Sequence, residues 1–252
     1  MPARQLSTTV WMVGSGTDEL ALTDPHDCHC YLVWDGFGGV LVDAGTGLGA
    51  QRWLANVRQV CALSALRGVV LTHYHADHAG GAHAAQDAGL RILASPETAH
   101  ALAEADEERT SLARAREVGV YPQDFRLLPA AVDEVLGDHA VAYGADRIQV
   151  MVLDAPGHCD GHVVALMTDP DERGGWLFSG DCLFAGGAVS IQALPDCRLD
   201  RYASTVTRLA EHHPEALLPG HGELVLDGAW RDIADSAASF ARLIPPQNIL
   251  SP

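Results

Sequence analysis

The segment of residues 73–78 reads His-Tyr-His-Ala-Asp-His and places three imidazoles and one carboxylate within six positions. Imidazole and carboxylate groups together suit borderline divalent metals such as zinc. Residues two apart in an extended segment face the same side, so His73 and His75 can bind one ion. Asp77 and His78 lie just past a turn, point elsewhere and can serve a second ion. Structural histidines do not usually cluster in this way, so the segment predicts a metal site.

The elements that must position this cluster can be predicted from hydrophobic runs and turn residues. The cluster follows residues 68–72, an apolar run that predicts a strand covered on both faces. Other strands are predicted at residues 8–13, 30–34, 40–43, 91–94, 148–153, 163–167, 176–178 and 216–218. Helices are predicted at residues 50–66, 79–88, 199–212 and 229–243. In the third of these helices the spacing predicts one apolar face, formed by Leu199, Tyr202, Val206 and Leu209.

Residues 96–137 differ from the rest because they are heavily charged and read as a helical insert with a break at residues 119–122. The insert lies between ligand-bearing segments, so we expect it to form a lid or pocket wall and to set specificity. Strands come first, with helices interleaved and both sheet faces covered. This order predicts an α/β fold in a single domain, residues 1–252.

Composition limits the partners of the chain. Its 252 residues carry a formal net charge of −17, and all 16 basic residues are arginines. Such acidity argues against nucleic acid and against an anionic membrane surface, which both attract cationic proteins. Residues 1–9 lack the apolar core of a secretory signal, and no stretch approaches the roughly 20 apolar residues of a membrane helix. We expect a cytoplasmic protein with a small-molecule substrate, and a homodimer is one option for its assembly.

The His-x-His-x-Asp-His pattern after a strand resembles the signature of the metallo-β-lactamase superfamily, and four further motifs of that family occur in order. They read Leu-Val-Asp-Ala-Gly at residues 41–45, Ala-Pro-Gly-His at 155–158, Ser-Gly-Asp at 179–181 and Pro-Gly-His-Gly at 219–222. The resemblance covers about residues 9–223. It implies the family's αββα sandwich, with every metal ligand on a loop along one edge, and it gives Asp43 the role of supporting the metal-site histidines.

The resemblance also implies two metal ions, zinc with iron or manganese as alternatives, that share one aspartate. Metal one would be bound by His73, His75 and His158, and metal two by Asp77, His78 and His221. Asp181 would bind both metals. Two close cations need an anionic bridge, and a carboxylate can bind one metal through each oxygen. A bridging water, whose pKa falls from 15.7 to roughly 7 on zinc, would supply the hydroxide nucleophile. Asp77 would orient that hydroxide or protonate the leaving group.

Several neighbouring residues are weaker candidates. His162 fits a position that is usually structural in the family, and His29 stands where relatives often carry asparagine and could approach the site. Cys28 and Cys30 form a C-x-C pair without the second pair of a zinc finger, so reduced, packed thiols are the simpler interpretation. Cys182 follows Asp181 and is interpreted in the same way.

Fold alone does not fix activity. Zinc β-lactamases are normally exported and either use a cysteine where Asp181 stands or lack that bridging carboxylate, so antibiotic hydrolysis is not expected. The nuclease branches add a domain and a basic surface, and the flavo-diiron branch appends a flavodoxin module, so neither branch is expected here. We expect a hydrolase of esters, lactones or thioesters, similar to the lactonases and to glyoxalase II. Only about 31 residues follow His221, with Arg231 and Arg242 as their cations, which weakens a glutathione-specific interpretation.

Two alternatives remain open at this point. A resemblance to persulfide dioxygenases would place a single iron on His73, His158 and Asp181, with oxygen chemistry in place of hydrolysis. A binding protein that kept the fold and lost turnover is the other alternative, although all seven ligands are present. Metal analysis and assays separate these alternatives from a hydrolase.

Overall fold

The computed structural model describes residues 2–16, 21–171 and 174–250. Its contacts divide the chain into two compact units, Met1–Leu136 and Gly137–Pro252, each with one mixed β-sheet and flanking helices. The α/β class is therefore confirmed. The single domain over residues 1–252 stays a prediction, and residues 1, 17–20, 172–173 and 251–252 of that range lie outside the described residues. Among the described helices, none is both long and apolar enough to cross a membrane.

In the first unit, seven strands form a sheet in chain order. The first four strands are mutually antiparallel and the last four are parallel, and helices make the parallel connections because a parallel neighbour requires a crossover. The strands are β1 (Arg4–Gln5), β2 (Val10–Gly14), β3 (Cys30–Trp34), β4 (Gly39–Val42), β5 (Leu66–Val70), β6 (Ile92–Ala94) and β7 (Glu134–Val135). The helices are α1 (Ala50–Val60), α2 (Ala76–Ala79), α3 (Ala82–Asp87), α4 (Pro96–Ala103) and α5 (Leu112–Glu117), and a 3₁₀ turn spans Leu63–Ala65.

Strand β5 leads directly into the histidine cluster. Val69 and Val70 face opposite sides of the sheet and are both fully buried, which confirms the prediction of a strand covered on both faces. The predicted helix at residues 79–88 is wrong in its continuity, because Gly80 and Gly81 separate α2 from α3. A Cβ atom at either glycine would collide with the backbone of the loop that follows β4, so this close approach requires glycine.

The insert at residues 96–137 is helical only in α4 and α5. Helix α4 begins after Ser95, whose hydroxyl accepts a hydrogen bond from the Thr98 amide, and Pro96 occupies its first turn. Helix α5 ends before Gly119, which has φ +78°, close to the predicted break. The chain then runs without helix to β7, which pairs with β6. The C-terminal end of the insert therefore contributes the last strand, β7, to the sheet of the first unit.

In the second unit, five strands form a sheet in the order β12-β11-β10-β9-β8, antiparallel except for the β11–β12 pair. The strands are β8 (Val141–Gly144), β9 (Gln149–Asp154), β10 (Val163–Thr168), β11 (Gly175–Gly180) and β12 (Ala216–Pro219). The helices are α6 (Leu199–Ala210) and α7 (Ala229–Ala241).

The predicted apolar face of α6 needs one correction. Tyr202, Val206 and Leu209 are buried in the core of the second unit, but Leu199 is 44% exposed. Side chains in a helix lean toward its N-terminus, so Leu199, the first residue of α6, points past the end of the packed face.

Gly68 within β5 provides a test of how the strand reaches the histidine cluster. It has φ +150°, and a Cβ atom there would lie 2.5 Å from the carbonyl oxygen of Arg91. We expect Gly68→Ala to lower the free energy of unfolding by about 2 kcal/mol or more, because backbone strain and collision both act. Gly137→Ala, with nothing within 4 Å of the new Cβ atom, is the matched control. Equal unfolding midpoints for the two variants would contradict this account.

Candidate metal centre

His73 and His75 lie in the loop between β5 and α2 and are both buried. Nε2 of His73 lies 3.1 Å from Nδ1 of His75. Tetrahedral zinc with metal–nitrogen distances near 2.05 Å places two ligand nitrogens about 3.3 Å apart. The two nitrogens are therefore spaced to share one cation.

Asp77 and His78 lie in the single turn of α2, which redirects their side chains after His75. Oδ2 of Asp77 lies 3.7 Å from Nε2 of His78, and the Asp77 side chain remains partly exposed. This second pair offers one oxygen and one nitrogen to a further cation. The first unit thus brings His73 close to His75 and Asp77 close to His78.

Asp43 orients the histidines of this unit from behind. It follows β4 with φ +62°, a left-handed conformation that aspartate tolerates better than most residues. Its Oδ2 accepts a hydrogen bond from Nδ1 of His78 at 2.8 Å and another from the Thr72 hydroxyl at 2.9 Å. Because that hydroxyl donates to Asp43, its oxygen is left to accept from Nδ1 of His73 at 3.0 Å. The lone pair of both histidines is thus on Nε2.

In the second unit, Asp181 lies just past β11 and His158 follows β9, while His221 follows β12. Asp181 directs one carboxylate oxygen toward each of two imidazoles. Its Oδ2 lies 3.7 Å from Nε2 of His158, and its Oδ1 lies 3.6 Å from Nε2 of His221. Nδ1 of His158 donates to the carbonyl of Ser190 at 3.0 Å, which again places the lone pair on Nε2, the nitrogen on the side of Asp181. A carboxylate placed in this way fits a bridge between two cations.

Tyr202 of α6 holds the loops that carry these ligands, a role that the sequence did not predict. Its hydroxyl, fully buried, lies 2.9 Å from the carbonyl of Asp181 and 2.7 Å from that of Cys182. The same oxygen accepts from the amide of Ser190 at 3.1 Å. Burial raises the pKa of Tyr202 well above its usual range, so the hydroxyl stays a donor. A tyrosine within an otherwise aliphatic buried stripe was the available signal, since a buried hydroxyl needs partners.

His162 and His29 are both buried beside the ligands. Nε2 of His162 accepts a hydrogen bond from the amide of Asp181 at 3.2 Å, so this histidine holds the aspartate loop. Nδ1 of His29 lies 3.0 Å from the hydroxyl of Ser15. The residue before it, Cys28, donates its amide to the carbonyl of Asp77 at 3.3 Å, which places His29 next to the histidine loop.

The cysteines near the ligands are packed thiols. All six cysteines are free, and those at 28, 30 and 182 are fully buried. The Cys28 sulfur lies within 4.8 Å of donor atoms of Asp43 and His78 and 3.9 Å from the sulfur of Cys30. Burial raises the pKa of all three thiols, which disfavours the thiolate needed for nucleophilic attack or metal binding. These contacts support the interpretation of the C-x-C pair as reduced thiols.

Residues 105–127, named here the cover segment, pack against the histidine loop within the first unit. Leu112, Phe125 and Leu127 form a buried apolar cluster with Ala76, the residue between His75 and Asp77. The segment closes on itself through Arg116, which donates to Glu107 at 2.6 Å and to the carbonyl of Phe125 at 2.7 Å. The Arg116 hydrogen bond also lowers the pKa of Glu107. Part of the insert thus supports the ligand loop itself.

Replacement of Tyr202 by phenylalanine tests its positioning role. Tyr202→Phe keeps the ring but leaves one buried amide without its acceptor, so we expect a loss of about 1–3 kcal/mol of unfolding free energy. Metal affinity should fall at least about tenfold, as for other groups that orient ligands. Chelator competition and thermal melts measure the two effects. Phe240→Leu, which changes the ring stacked on Tyr202, should lower the melting temperature alone; an equal loss of metal affinity there would argue against the role of the hydroxyl.

Solved metallo-β-lactamases share the fold of this chain. A metallo-β-lactamase from Cronobacter sakazakii aligns with a TM-score of 0.73 and 19% identity over 96% of this chain and 94% of that one. The native FEZ-1 enzyme from Legionella gormanii aligns with a TM-score of 0.70 and 16% identity over 96% and 95% of the two chains. At these identities the likeness shows the fold alone, and it confirms the predicted sandwich class.

Curated relatives are similar in sequence over most of the chain. A hydroxyacylglutathione hydrolase from Cupriavidus taiwanensis is 30% identical over 223 residues, which are 88% of this chain and 69% of the relative. A β-lactamase-like protein 2 homolog from Drosophila melanogaster is 25% identical over 227 residues, 88% of this chain and 66% of the relative. The chain thus spans about two thirds of the length of these relatives.

The family model of the metallo-β-lactamase superfamily matches residues 23–221, which include every proposed ligand. Sequence match and fold agree with the donor pairs found at the ends of β5, β9, β11 and β12. The chain belongs to the metallo-β-lactamase superfamily.

Proposed function

We propose that the chain is a two-zinc hydrolase that cleaves an ester, a lactone or a thioester. The observation that carries the proposal is the orientation of Asp181, with one carboxylate oxygen toward His158 and the other toward His221. A shared aspartate is needed only if two cations are bound. The proposed ligands of metal one are His73, His75 and His158, and those of metal two are Asp77, His78 and His221. Asp181 is the proposed ligand of both metals.

Residues of the chain orient the ligands and handle a proton in this reaction. Thr72, Asp43 and the Ser190 carbonyl hold protons on the outer ring nitrogens, so that His73, His78 and His158 offer Nε2 to metal. When bound, two zinc ions would lower the pKa of water to roughly 7 and polarise the scissile carbonyl. The carboxylate of Asp77, partly exposed, would orient the attacking water and carry a proton to the leaving group.

The substrate class rests on the relatives and on the site together. Hydroxyacylglutathione hydrolase, the name of the relative from Cupriavidus taiwanensis, describes a thioester hydrolase, and a site that attacks a thioester carbonyl can attack an ester or lactone carbonyl by the same route. The matched region covers 69% of that relative, and a thioester is accordingly a proposed substrate of this chain. We also propose a cytoplasmic location. Asp43 orients His78 of the second donor pair directly, and it orients His73 through Thr72; a support built for both donor pairs favours two metals over the single iron of a dioxygenase.

Metal content tests the shared aspartate. We expect the purified protein to contain close to two metal ions per chain, mainly zinc, by elemental analysis. Asp181→Ala should remove most of that metal and lower kcat by several orders of magnitude, because this one side chain supplies a ligand atom to each of the two ions. Asp227→Ala, an exposed aspartate of the same unit, is the control for the loss of one charge. One iron per chain with oxygen uptake would contradict the hydrolase and favour the persulfide dioxygenase.

The path of the nucleophile is a separate test. Direct attack by water predicts that a single turnover in isotopically labelled water places the label in the product acid when enzyme exceeds substrate. Cys159 and Cys182 adjoin ligands, and both are buried. Replacing either with alanine should cost less than about tenfold in kcat, roughly 1.4 kcal/mol of barrier. A trapped acyl-cysteine, seen by mass spectrometry, would show a covalent route instead.

A further inference from the structure

Arg109 of the cover segment contacts the histidine loop through an aromatic ring. Its guanidinium carbon lies 5.7 Å from the ring centroid of Tyr74, the residue between His73 and His75. The Tyr74 ring in turn meets the ring of His75 edge-on, with centroids 5.6 Å apart. A single side chain therefore separates the cation from a proposed metal ligand.

The acidic residues next to Arg109 in sequence are bound elsewhere. Glu107 pairs with Arg116 at 2.6 Å and accepts from the amide of Leu127, and Asp106 accepts from the amides of Glu108 and Arg109. Among the described residues, no carboxylate forms an ion pair with the guanidinium of Arg109. Because a cation–π contact uses its charge and not its five N–H donors, those donors stay available for a ligand.

The position of Arg109 is fixed on both sides. Thr110, the next residue, is 1% exposed, and Leu112 is buried in the cluster with Ala76 of the histidine loop. On the other side, the Asp106 carboxylate accepts from the backbone amide of Arg109. Little backbone freedom is therefore left to lose at Arg109 on binding, which favours a role in recognition.

We propose that Arg109, held over Tyr74, binds an anionic group of the substrate, so that the enzyme prefers acyl compounds that carry a carboxylate away from the scissile bond. This inference rests on the proposed hydrolase function. In a chain of net charge −17, a carboxylate substrate is repelled unless a cation receives it, and a guanidinium matches a carboxylate with two parallel hydrogen bonds. The carboxylate can belong to the acyl part or to the thiol part of a thioester.

Matched substrates separate these two sources. Acyl thioesters of N-acetylcysteine are compared with those of its methyl ester, and succinyl thioesters with butyryl thioesters of one neutral thiol. We expect the wild type to prefer one charged member in kcat/KM, and Arg109→Gln to reduce that preference about tenfold, mainly through KM. Arg109→Lys should keep part of the preference, and Tyr74→Leu should weaken it. Arg126→Gln removes an exposed arginine of the same segment and should keep the preference.

The outcomes distinguish this proposal from the proposed function. An equal loss for charged and neutral substrates in Arg109→Gln, or a preference unchanged by that variant, would overturn the role of Arg109 while hydrolysis stands. If the wild type cleaves none of the four thioesters, nor lactones or simple esters, the hydrolase proposal fails. Calorimetric binding of the uncleavable thioether N-acetyl-S-ethylcysteine then still tests Arg109, because its binding should weaken about tenfold in Arg109→Gln and not in Arg126→Gln. Metal content and melting temperature of each variant exclude misfolding.

Discussion

A neutral imidazole binds metal through one ring nitrogen only if the other nitrogen carries the proton, and the whole ligand arrangement depends on that choice. In this chain three buried acceptors make it. Asp43 accepts from His78, Thr72 accepts from His73, and the carbonyl of Ser190 accepts from His158. Each places the lone pair of its histidine on Nε2. The chemistry of the site is therefore set by oxygen atoms that need not contact metal or substrate.

Those oxygens are themselves held by unusual backbone and by buried hydroxyls. Asp43 sits in a left-handed conformation at the end of β4, where its carboxylate also accepts from the Thr72 amide at 2.8 Å. In the second unit, the Tyr202 hydroxyl joins the Asp181 loop to Ser190, while Gly157 beside His158 has no room for a Cβ atom because Tyr202 would lie 2.6 Å away. Both units use the same solution: ligands on loops, and loops tied to a rigid element by a few buried hydrogen bonds.

The insert of the first unit supports the histidine loop and carries the arginine that we propose for recognition. Its apolar residues pack against the histidine loop, so substitutions among them would disturb that loop. Arg109 of the same segment is half-buried and contacts Tyr74. A superfamily that keeps its metal ligands and changes its substrates requires such segments, since specificity then depends on side chains beside a fixed centre.

Local patterns determined much of this protein in advance. Strand Cys30–Trp34 matches its prediction, and the strand before His73 and the ligand motifs lie where hydrophobic runs and spacing placed them, because two-residue periodicity and glycine turns are read from neighbours in sequence. The length of the helices was less well predicted, since Gly80 and Gly81 interrupt the helix where it packs against the backbone of residues 44 and 46, which are distant in sequence. Tertiary structure alone decided the contacts of Tyr202, whose partners lie 12 to 21 positions away, and the position of Arg109 over Tyr74. Such contacts follow from packing between distant segments, and no sequence spacing encodes them.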